Sequence, residues 1–434
     1  MTAATVVAAA GLVVWLYLLV GRGGFWLARD RDDTEPFLPT LRVGRWPARA
    51  GAVMSTSTAA HDPSVRFADT SPASLGRNAP AAWPAIVAVV PARNEADVIG
   101  RSIGSLLAQK YRGSLRIVVV DDGSSDGTGD VLRDLPEPSV GRRLDVLRGA
   151  ALPPGWTGKL WAIEQGIRLA EATPTDGGET ARYYLLTDAD IGHAPDNLAS
   201  LVARAEADDR VLVSLMAELT CATPAERFLI PAFVYFFQML YPFAWVRRRS
   251  RGRAGSTAAA AGGCMLVRRD ALQRAGGIAA VRGEIIDDCA LARRLRQQGA
   301  IWLGLTRRAT SLRPYGGFRQ IGAMIARSAY AQLRYSPLLL VGTVAAMIVI
   351  FIAPAVLAVA AEGPARWMGA AGWLLMALSF QPMLRFYRRS PLWGVALPVI
   401  AAAYTLFTVQ SALAVWRGRG GLWKGRAQAM TSSP

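Results

Sequence analysis

The sequence predicts an α/β domain on a mostly parallel sheet, joined to transmembrane helices. Short apolar runs alternate with helix-length stretches beyond Ala85, several longer runs carry no charge, and acidic motifs come directly after apolar runs. Strand–helix alternation implies a sheet covered on both faces. Such sheets bind ligands at the carboxyl ends of their strands.

The chain has 434 residues, room for one large or two ordinary domains. It is 52% hydrophobic and carries a formal net charge of +17. In a soluble protein that charge suggests nucleic acid. Here many arginines flank apolar runs, which points to an anionic membrane face instead, and no nucleic-acid partner is expected. Cys221, Cys264 and Cys289 are few, odd in number and far apart, which supports neither a disulfide framework nor a Cys-rich zinc site. With His61 and His193 the only histidines, a His-based triad is nearly excluded, and acid–base chemistry falls to carboxylates.

Taken in order, residues 1–21 read as an anchor. The run 3–20 is uncharged and long enough to span, with no basic stretch before it and Arg22, Arg29 and Arg31 after it. That polarity is wrong for a cleaved signal peptide and places the C-terminal end in the cytoplasm. Residues 22–83, with mixed charge and scattered Pro and Ser, read as a linker. Residues 84–335 form the cytoplasmic α/β domain, with candidate strands in "AIVAVV", "RIVVV", "LDVL", "YYLLT" and "VLVSLM".

Inside this domain the uncharged run 228–246 is long enough to span. A span there would split the motifs between two sides of the membrane, so an interfacial helix is expected, followed by "RRRSRGR" (247–253) among anionic headgroups. A buried core helix is the alternative. Residues 336–434 form a C-terminal membrane domain with three uncharged runs, 336–361, 367–384 and 392–416. Arg385, Arg388 and Arg389 mark a cytoplasmic loop. Three crossings would then leave the basic tail "RGRGGLWKGR" outside, against the positive-inside rule. Pro398 offers a break into a re-entrant or kinked form, and the path of this run stays open.

Five motifs could carry chemistry. In "PARNEADVI", Pro91 stops the first strand, and Asn94 or Glu95 can cap the next helix. In "DDGSSDGT" (121–128), Gly123 permits a tight turn and Ser124, Ser125 and Asp126 can cap. Asp121 and Asp122 could accept hydrogen bonds from a base or ribose, although an ordinary strand-to-helix turn reads the same way. In "LPPGWTGKLWA", Lys159 opens a helix where a phosphate can sit; a solvated lysine is the plain alternative. "YYLLTDAD" ends in Asp188 and Asp190, two hard oxygen donors suited to Mg²⁺ or Mn²⁺ with substrate phosphates, or else an Asx turn. After the glycine pair of "GGCMLVRRDAL", "GEIIDDCALARRLRQQG" places Asp287 and Asp288 at a helix start, as dipole partners or as a general base.

This order of motifs resembles family 2 glycosyltransferases, the inverting enzymes with the GT-A nucleotide-diphospho-sugar transferase fold, a Rossmann-like α/β domain with a mixed, mostly parallel sheet. The combination of "DDCALARRLRQQG", "GGFRQIGAMIARSAYAQLRYSP" and the C-terminal apolar runs looks most like the membrane-bound, hopanoid-biosynthesis-associated glycosyltransferases of bacteria. The resemblance implies a nucleotide sugar as donor, UDP being the first guess, a lipid acceptor, a divalent cation, and a multi-pass place in the bacterial inner membrane. It implies that Pro91, Ala92, Arg93, Glu95, Asp121, Asp122, Lys159 and Asp188 hold the nucleotide sugar, and that Asp188 and Asp190 hold Mg²⁺ or Mn²⁺. Asp288 matches the catalytic base, with Asp287 beside it. Gly263, Cys264, Arg334 and Tyr335 are assigned to the acceptor or diphosphate. The family's Gln-x-x-Arg-Trp motif is altered, Gln332 standing two residues before Arg334 and Tyr335 replacing the tryptophan. Polyprenyl-phosphate or ceramide-type acceptors, and a non-catalytic membrane scaffold, are the competing readings.

Overall fold

The computed structural model describes residues 2–32, 83–173, 179–248 and 257–418, together with the backbone of 422–423 and 426–427. Most of the expected linker, His61, and most of both the "RRRSRGR" stretch and the basic tail lie outside the described residues.

The chain opens with α1 (Ala3–Val20), whose N-terminal cap is the Thr2 hydroxyl accepting from the Thr5 amide. The sheet then collects β1 (Ile86–Ala92), β2 (Leu115–Asp121), β3 (Arg142–Arg148), β4 (Tyr183–Thr187), β5 (Ile191–His193), β6 (Arg210–Glu218), β7 (Cys264–Arg268) and β8 (Ala300–Ser311). Their spatial order is β3-β2-β1-β4-β7-β6-β8-β5. β3, β2, β1 and β4 run parallel, as do β6 and β8, whereas β7 runs antiparallel to both β4 and β6. The reversal matters for the site. It brings the start of β7 opposite the end of β4, with Cys264 in register with Thr187.

The central strands are apolar on both faces, so successive residues feed two cores. Val87 and Val89 of β1 enter one, while Ile86, Ala88 and Val90 enter the other. The second core is covered by α2 (Ile99–Leu107) and α5 (Asn197–Ala207), through Ile99, Ile103 and Leu106 and through Leu198, Leu201 and Val202. The first is covered by α4 (Gly158–Ala172), through Leu160, Ile163 and Ile167. The short α3 (Thr128–Arg133) follows β2. Close helix–sheet approach depends on Gly166, where an added Cβ would lie 2.5 Å from Val89 Cγ1.

The first core continues into the apolar helices. α6 (Pro224–Leu240) starts with a capping box in which Thr223 and Glu226 satisfy each other's amides. Its residues Leu229, Tyr235 and Phe236 are buried. After α7 (Phe243–Val246), α8 (Arg269–Arg274) and α9 (Asp287–Arg296), the amphipathic α10 (Phe318–Gln332) leads to α11 (Pro337–Met347), a π-helical turn at Ile348–Ile352 and α12 (Ala353–Ala360). Next come α13 (Gly363–Phe386), a 3-10 turn at Pro391–Ala396, and α14 (Leu397–Trp416). Trp15 of α1 donates its indole N–H to Ile350 O at 2.7 Å, inside the π turn. Tyr235 bonds Ser379 of α13 at 2.7 Å, and Tyr404 of α14 donates to Leu229 O at 2.9 Å. The run expected at the interface is thus a helix sandwiched between the sheet domain and α13 and α14.

Among the described residues, three helical stretches are long and apolar enough to cross a membrane: Ala3–Val20, Pro337–Ala360 and Pro391–Trp416. The expected run 367–384 is helical, within α13, but Gln381, Pro382 and its glycines and tryptophans leave it less apolar than the other three. Behind α1 the chain is fastened to the sheet. Arg31 bridges Leu305 in parallel fashion, the Asp32 amide donates to Leu305 O at 3.1 Å, and the Leu305 amide donates to Asp30 O at 2.9 Å. Arg308 pairs with the buried Asp32 at 3.3 Å, and Arg247 pairs with Asp30 at 3.0 Å.

Candidate active site

The polar motifs converge at one edge of the sheet. β1 ends in the buried Pro91 and Ala92. Proline is tolerated there because β1 pairs with β4 only as far as Val89, so no ladder acceptor is left on that side. The two loops that follow β1 and β2 are stitched together. Arg93 donates to Asp122 O, with the Asp122 carboxylate 3.9 Å away. The Asn94 amide donates to Ser124 Oγ at 3.0 Å, the Ser125 amide donates back to Asn94 Oδ1 at 3.0 Å, and the Glu95 amide donates to Thr128 Oγ1 at 2.8 Å. Asn94 stands at φ 51°, a left-handed conformation that asparagine accepts more readily than most residues. Asp121 Oδ1 receives the Ser124 amide at 2.9 Å, and Asp122 is buried with its amide on Ala92 O at 2.8 Å. These residues build a rigid two-loop wall.

Opposite stands the acidic cluster. Asp188 follows β4, and Asp190 sits in the turn that leads to β5. Lys159, in the first turn of α4, places Nζ 2.8 Å from Asp188 Oδ1 and 3.5 Å from Asp287 Oδ2. Burial disfavours its charge, but Asp188 and Asp287, with Asp288 adding, outweigh burial and hold the ammonium well above the usual lysine range. Asp288 is half-buried at the start of α9 and accepts from the Gly262 amide at 3.0 Å and the Cys289 amide at 2.7 Å. Burial and then the Asp287 charge push its carboxyl up to about 6, against the pull of Lys159. Gly262 allows this approach, since a Cβ there would lie 3.1 Å from Lys159 Nζ. The cluster therefore joins Asp188 from the β4 exit to Asp287 and Asp288 from α9, across one lysine.

The remaining expected residues fall around it. Gly263 acts through its backbone, its carbonyl accepting from Thr187 Oγ1 at 2.7 Å. Cys264 is buried, its Sγ facing Asn197 Nδ2 at 3.8 Å. Arg334 and Tyr335 are exposed at the junction of α10 and α11, at φ 51° and 56°. Tyr335 lies in the field of Glu284, on the loop entering α9. The firmer link from α10 is Gln332, whose Nε2 donates to the Tyr241 hydroxyl at 2.7 Å, and Tyr241 lies within electrostatic reach of Asp288.

Two residues escaped the sequence reading. Arg313, just beyond β8, pairs with Glu95 and lies 3.6 Å from Asp97 and 3.9 Å from Asp190 Oδ2, tying the first loop to the second aspartate. Its position directly after a strand was the available signal, lost among 49 lysines and arginines. His193 is buried behind Asp188, between Thr187 Oγ1 at 3.1 Å and Asn197 Nδ2 at 2.9 Å. Burial lowers its imidazole to about 4, so it is neutral and braces the turn.

Asp188 and Asp190 offer the hard oxygen donors that Mg²⁺ or Mn²⁺ takes alongside substrate phosphates. Both side chains remain about a third exposed, at 34% and 29%, so they are open to a ligand from the cleft. A divalent cation fits this donor set, with Lys159 the group that has to give way at Asp188.

The mixed α/β sheet, with acidic strand exits facing one cleft, has the GT-A fold. Residues 87–276 match the family model described as Glycosyl transferase family 2. A succinoglycan biosynthesis protein of Rhizobium meliloti is 35% identical over 124 residues, covering 29% of this chain and 30% of that protein. An N-acetylglucosaminyltransferase of Mesorhizobium japonicum is 28% identical over 193 residues, covering 44% of this chain and 41% of that protein. The chain thus matches less than half the length of either relative. Among solved structures, a mannosyltransferase of Pyrobaculum calidifontis with GDP-Man and Mn²⁺ aligns at a TM-score of 0.45 and 21% identity, over 75% of this chain and 88% of that one. Glucosyl-3-phosphoglycerate synthase of Mycobacterium tuberculosis with Mn²⁺ and UDP-glucose aligns at 0.35 and 19%, over 58% and 78%.

Proposed function

We propose that the protein is a membrane-bound inverting glycosyltransferase that moves a sugar from a nucleotide diphosphate to a lipid hydroxyl. The observation that carries this is the cluster itself. A carboxylate held at about 6 by burial and by Asp287 sits beside a lysine that also touches the first aspartate of the Asp-x-Asp pair. This arrangement supports reading Asp288 as the base for a hydroxyl proton, beside a site for a diphosphate.

The loops carrying Arg93, Glu95, Asp121 and Asp122 form the nucleoside wall. Lys159 leaves its ion pair with Asp188 and meets the diphosphate, helped by the α4 N-terminus. Asp188 and Asp190 would hold a divalent cation, which when bound would neutralise charge on the leaving diphosphate. Asp288 takes the proton of the acceptor hydroxyl as that oxygen bonds to the anomeric carbon. The bond from this carbon to the phosphate oxygen breaks from the opposite face, and the diphosphate departs with the electron pair. One displacement inverts the configuration and needs no covalent intermediate on the protein. The apolar α6, which ends near Asp288 through Tyr241, supports a lipid acceptor. A hopanoid-pathway lipid, suggested by the sequence resemblance, is the first to try, in the inner membrane of a bacterium with the catalytic domain cytoplasmic.

The test uses purified protein in nanodiscs with UDP- and GDP-sugars, Mn²⁺ or Mg²⁺, and bacterial lipid extract, followed by mass spectrometry. A glycolipid that disappears with EDTA and in Asp288→Asn supports the reading. Glycosylation of a soluble sugar or polysaccharide, with lipids untouched, refutes the lipid acceptor. Failure to bind any nucleotide sugar refutes the enzyme.

A further inference from the structure

We propose that the last apolar helix does not cross the membrane. The geometry points to a half-inserted hairpin, Pro391–Trp416, seated in the leaflet that faces the catalytic domain and returning the C-terminal tail to that same side. This rests on the membrane reading above and goes beyond it, because length and composition alone make Pro391–Trp416 a spanning candidate.

Four helix ends mark the domain side. At the end of α1, Arg22 donates to Met239 O at 3.1 Å, at the C-terminal end of α6. At the end of α13, Arg307 donates to Phe386 O at 2.6 Å, and Arg31 lies 4.9 Å from the Phe386 ring. The start of α11 follows directly from α10. The end of α14 is the fourth, since Trp416 packs edge-on against Tyr330 of α10 at 5.9 Å and Ser411 Oγ accepts from the Tyr330 amide at 3.1 Å. A helix that crossed after Phe386 would finish about 30 Å away, on the far side of the hydrocarbon core. Trp416 instead finishes next to the helix that begins α11.

The descending limb is equally visible. Gln381 Nε2 donates to Pro391 O at 3.1 Å, a Cβ on Gly394 would lie 2.8 Å from Ala377 O, and Trp373 Nε1 donates to Val395 O at 3.0 Å. The segment therefore retraces α13 from Gln381 toward Trp373. At 1.5 Å per residue this carries the turn about 14–20 Å below Phe386, near mid-bilayer. Pro398 stands just beyond the turn, where a proline in the first helical turn loses no hydrogen bond.

α14 then climbs obliquely. Its buried stripe of Ile400, Tyr404, Phe407 and Ser411 packs on α6 and α10, with Phe407 against Phe318 at 5.2 Å. The opposite stripe, Val399 and Leu406, is exposed and apolar, as is Leu392 in the turn before it, which fits acyl chains. Charge brackets the hairpin on one side only. Exposed Arg388 precedes it, exposed Arg417 follows it, Arg319 and Arg327 are exposed along α10, and Arg334 is exposed just after α10. Basic groups at that level fit anionic headgroups. The conflict with the positive-inside rule then disappears, because two basic segments share the cytoplasmic side.

Single cysteines test this in the full-length protein: Ser390→Cys before the hairpin, Glu362→Cys between α12 and α13, and Arg417→Cys after α14. Right-side-out and inside-out vesicles are treated with a membrane-impermeant maleimide, and wild-type protein is the blank for the three native thiols. Arg417→Cys and Ser390→Cys are expected to react at least tenfold faster in inside-out vesicles, and Glu362→Cys tenfold faster in right-side-out vesicles. Arg417→Cys reacting with the sidedness of Glu362→Cys overturns the hairpin. If a variant does not accumulate, C-terminal fusions of green fluorescent protein and alkaline phosphatase report the same side: fluorescence supports the hairpin and phosphatase activity overturns it. Release of the protein by alkaline carbonate would sink the membrane reading itself. Carbonate-resistant protein with an external tail sinks the hairpin alone.

Discussion

Asp288→Asn separates catalysis from stability at one atom. The Asp288 carboxyl stands at about 6, against an ordinary value of 3.8, because burial and Asp287 disfavour its ionised form. The folded state therefore binds the proton more tightly than the unfolded state. Stability contributed by the neutral acid is present below pH 3.8 and is lost as pH rises through the window to about 6. Above that window, ionised Asp288 costs the fold on the order of 3 kcal/mol, at about 1.4 kcal/mol per unit. Asparagine keeps the shape without the charge. It weakens the bonds from the Gly262 and Cys289 amides, a loss of about 1–2 kcal/mol. The net expectation at pH 7.5 is a gain of about 1–2 kcal/mol, seen as a melting temperature a few degrees higher in detergent. At pH 4 the gain should vanish. Activity should move the other way, by about 10²–10⁴-fold, the usual worth of a positioned general base. In the wild type, kcat/KM should rise with pH and level off above about 6, falling about tenfold for each unit below that. His193 also titrates in acid, so variant and wild type are compared at each pH. Full turnover in Asp288→Asn, or a melting temperature lowered at pH 7.5 in folded protein, would refute the reasoning.

Asp190→Ala should abolish turnover and weaken Mn²⁺ binding read by electron paramagnetic resonance, while EDTA should silence wild-type protein reversibly; unchanged Mn²⁺ affinity would remove Asp190 from the cation site. Arg313→Ala strips the buried Glu95 of a cation, and its expected cost is about 2–4 kcal/mol of stability with a raised donor KM. Arg313→Lys should recover most stability but less of the donor KM, and equal recovery of both would mean a merely structural role. Gly166→Ala forces a methyl to within 2.5 Å of Val89 Cγ1 and should cost about 1–3 kcal/mol by thermal melting, with donor KM unchanged once folded.

The strands with dense Val, Ile and Leu were legible because a buried central strand has no other composition open to it. The motifs after β1, β2 and β4 were legible because a parallel sheet presents its strand exits to one cleft. β8 was not, since "AIWLGLTRRATS" mixes glycine and two arginines into its run and finds its place only by pairing with β6 and β5. The antiparallel β7 was equally hidden, because strand direction is set by partners far along the chain. Asp188, Asp287 and Asp288 were found one motif at a time. Their meeting across Lys159 and Gly262 depends on that reversal of β7. Arg313 owes its role entirely to where β8 ends.

The splice of residues 30–32 onto β8 makes α1 and the sheet one stiff body. A globule on a flexible tether samples many heights and angles above a bilayer. A domain bolted through Leu305, Asp32 and Arg308 has a fixed working height. For a chain seated in a membrane, the cleft then acts as a gauge. If the acceptor is a lipid, as proposed, the cleft would meet only hydroxyls that stand at one distance from the hydrocarbon surface, and acceptor choice would partly be a measurement of length.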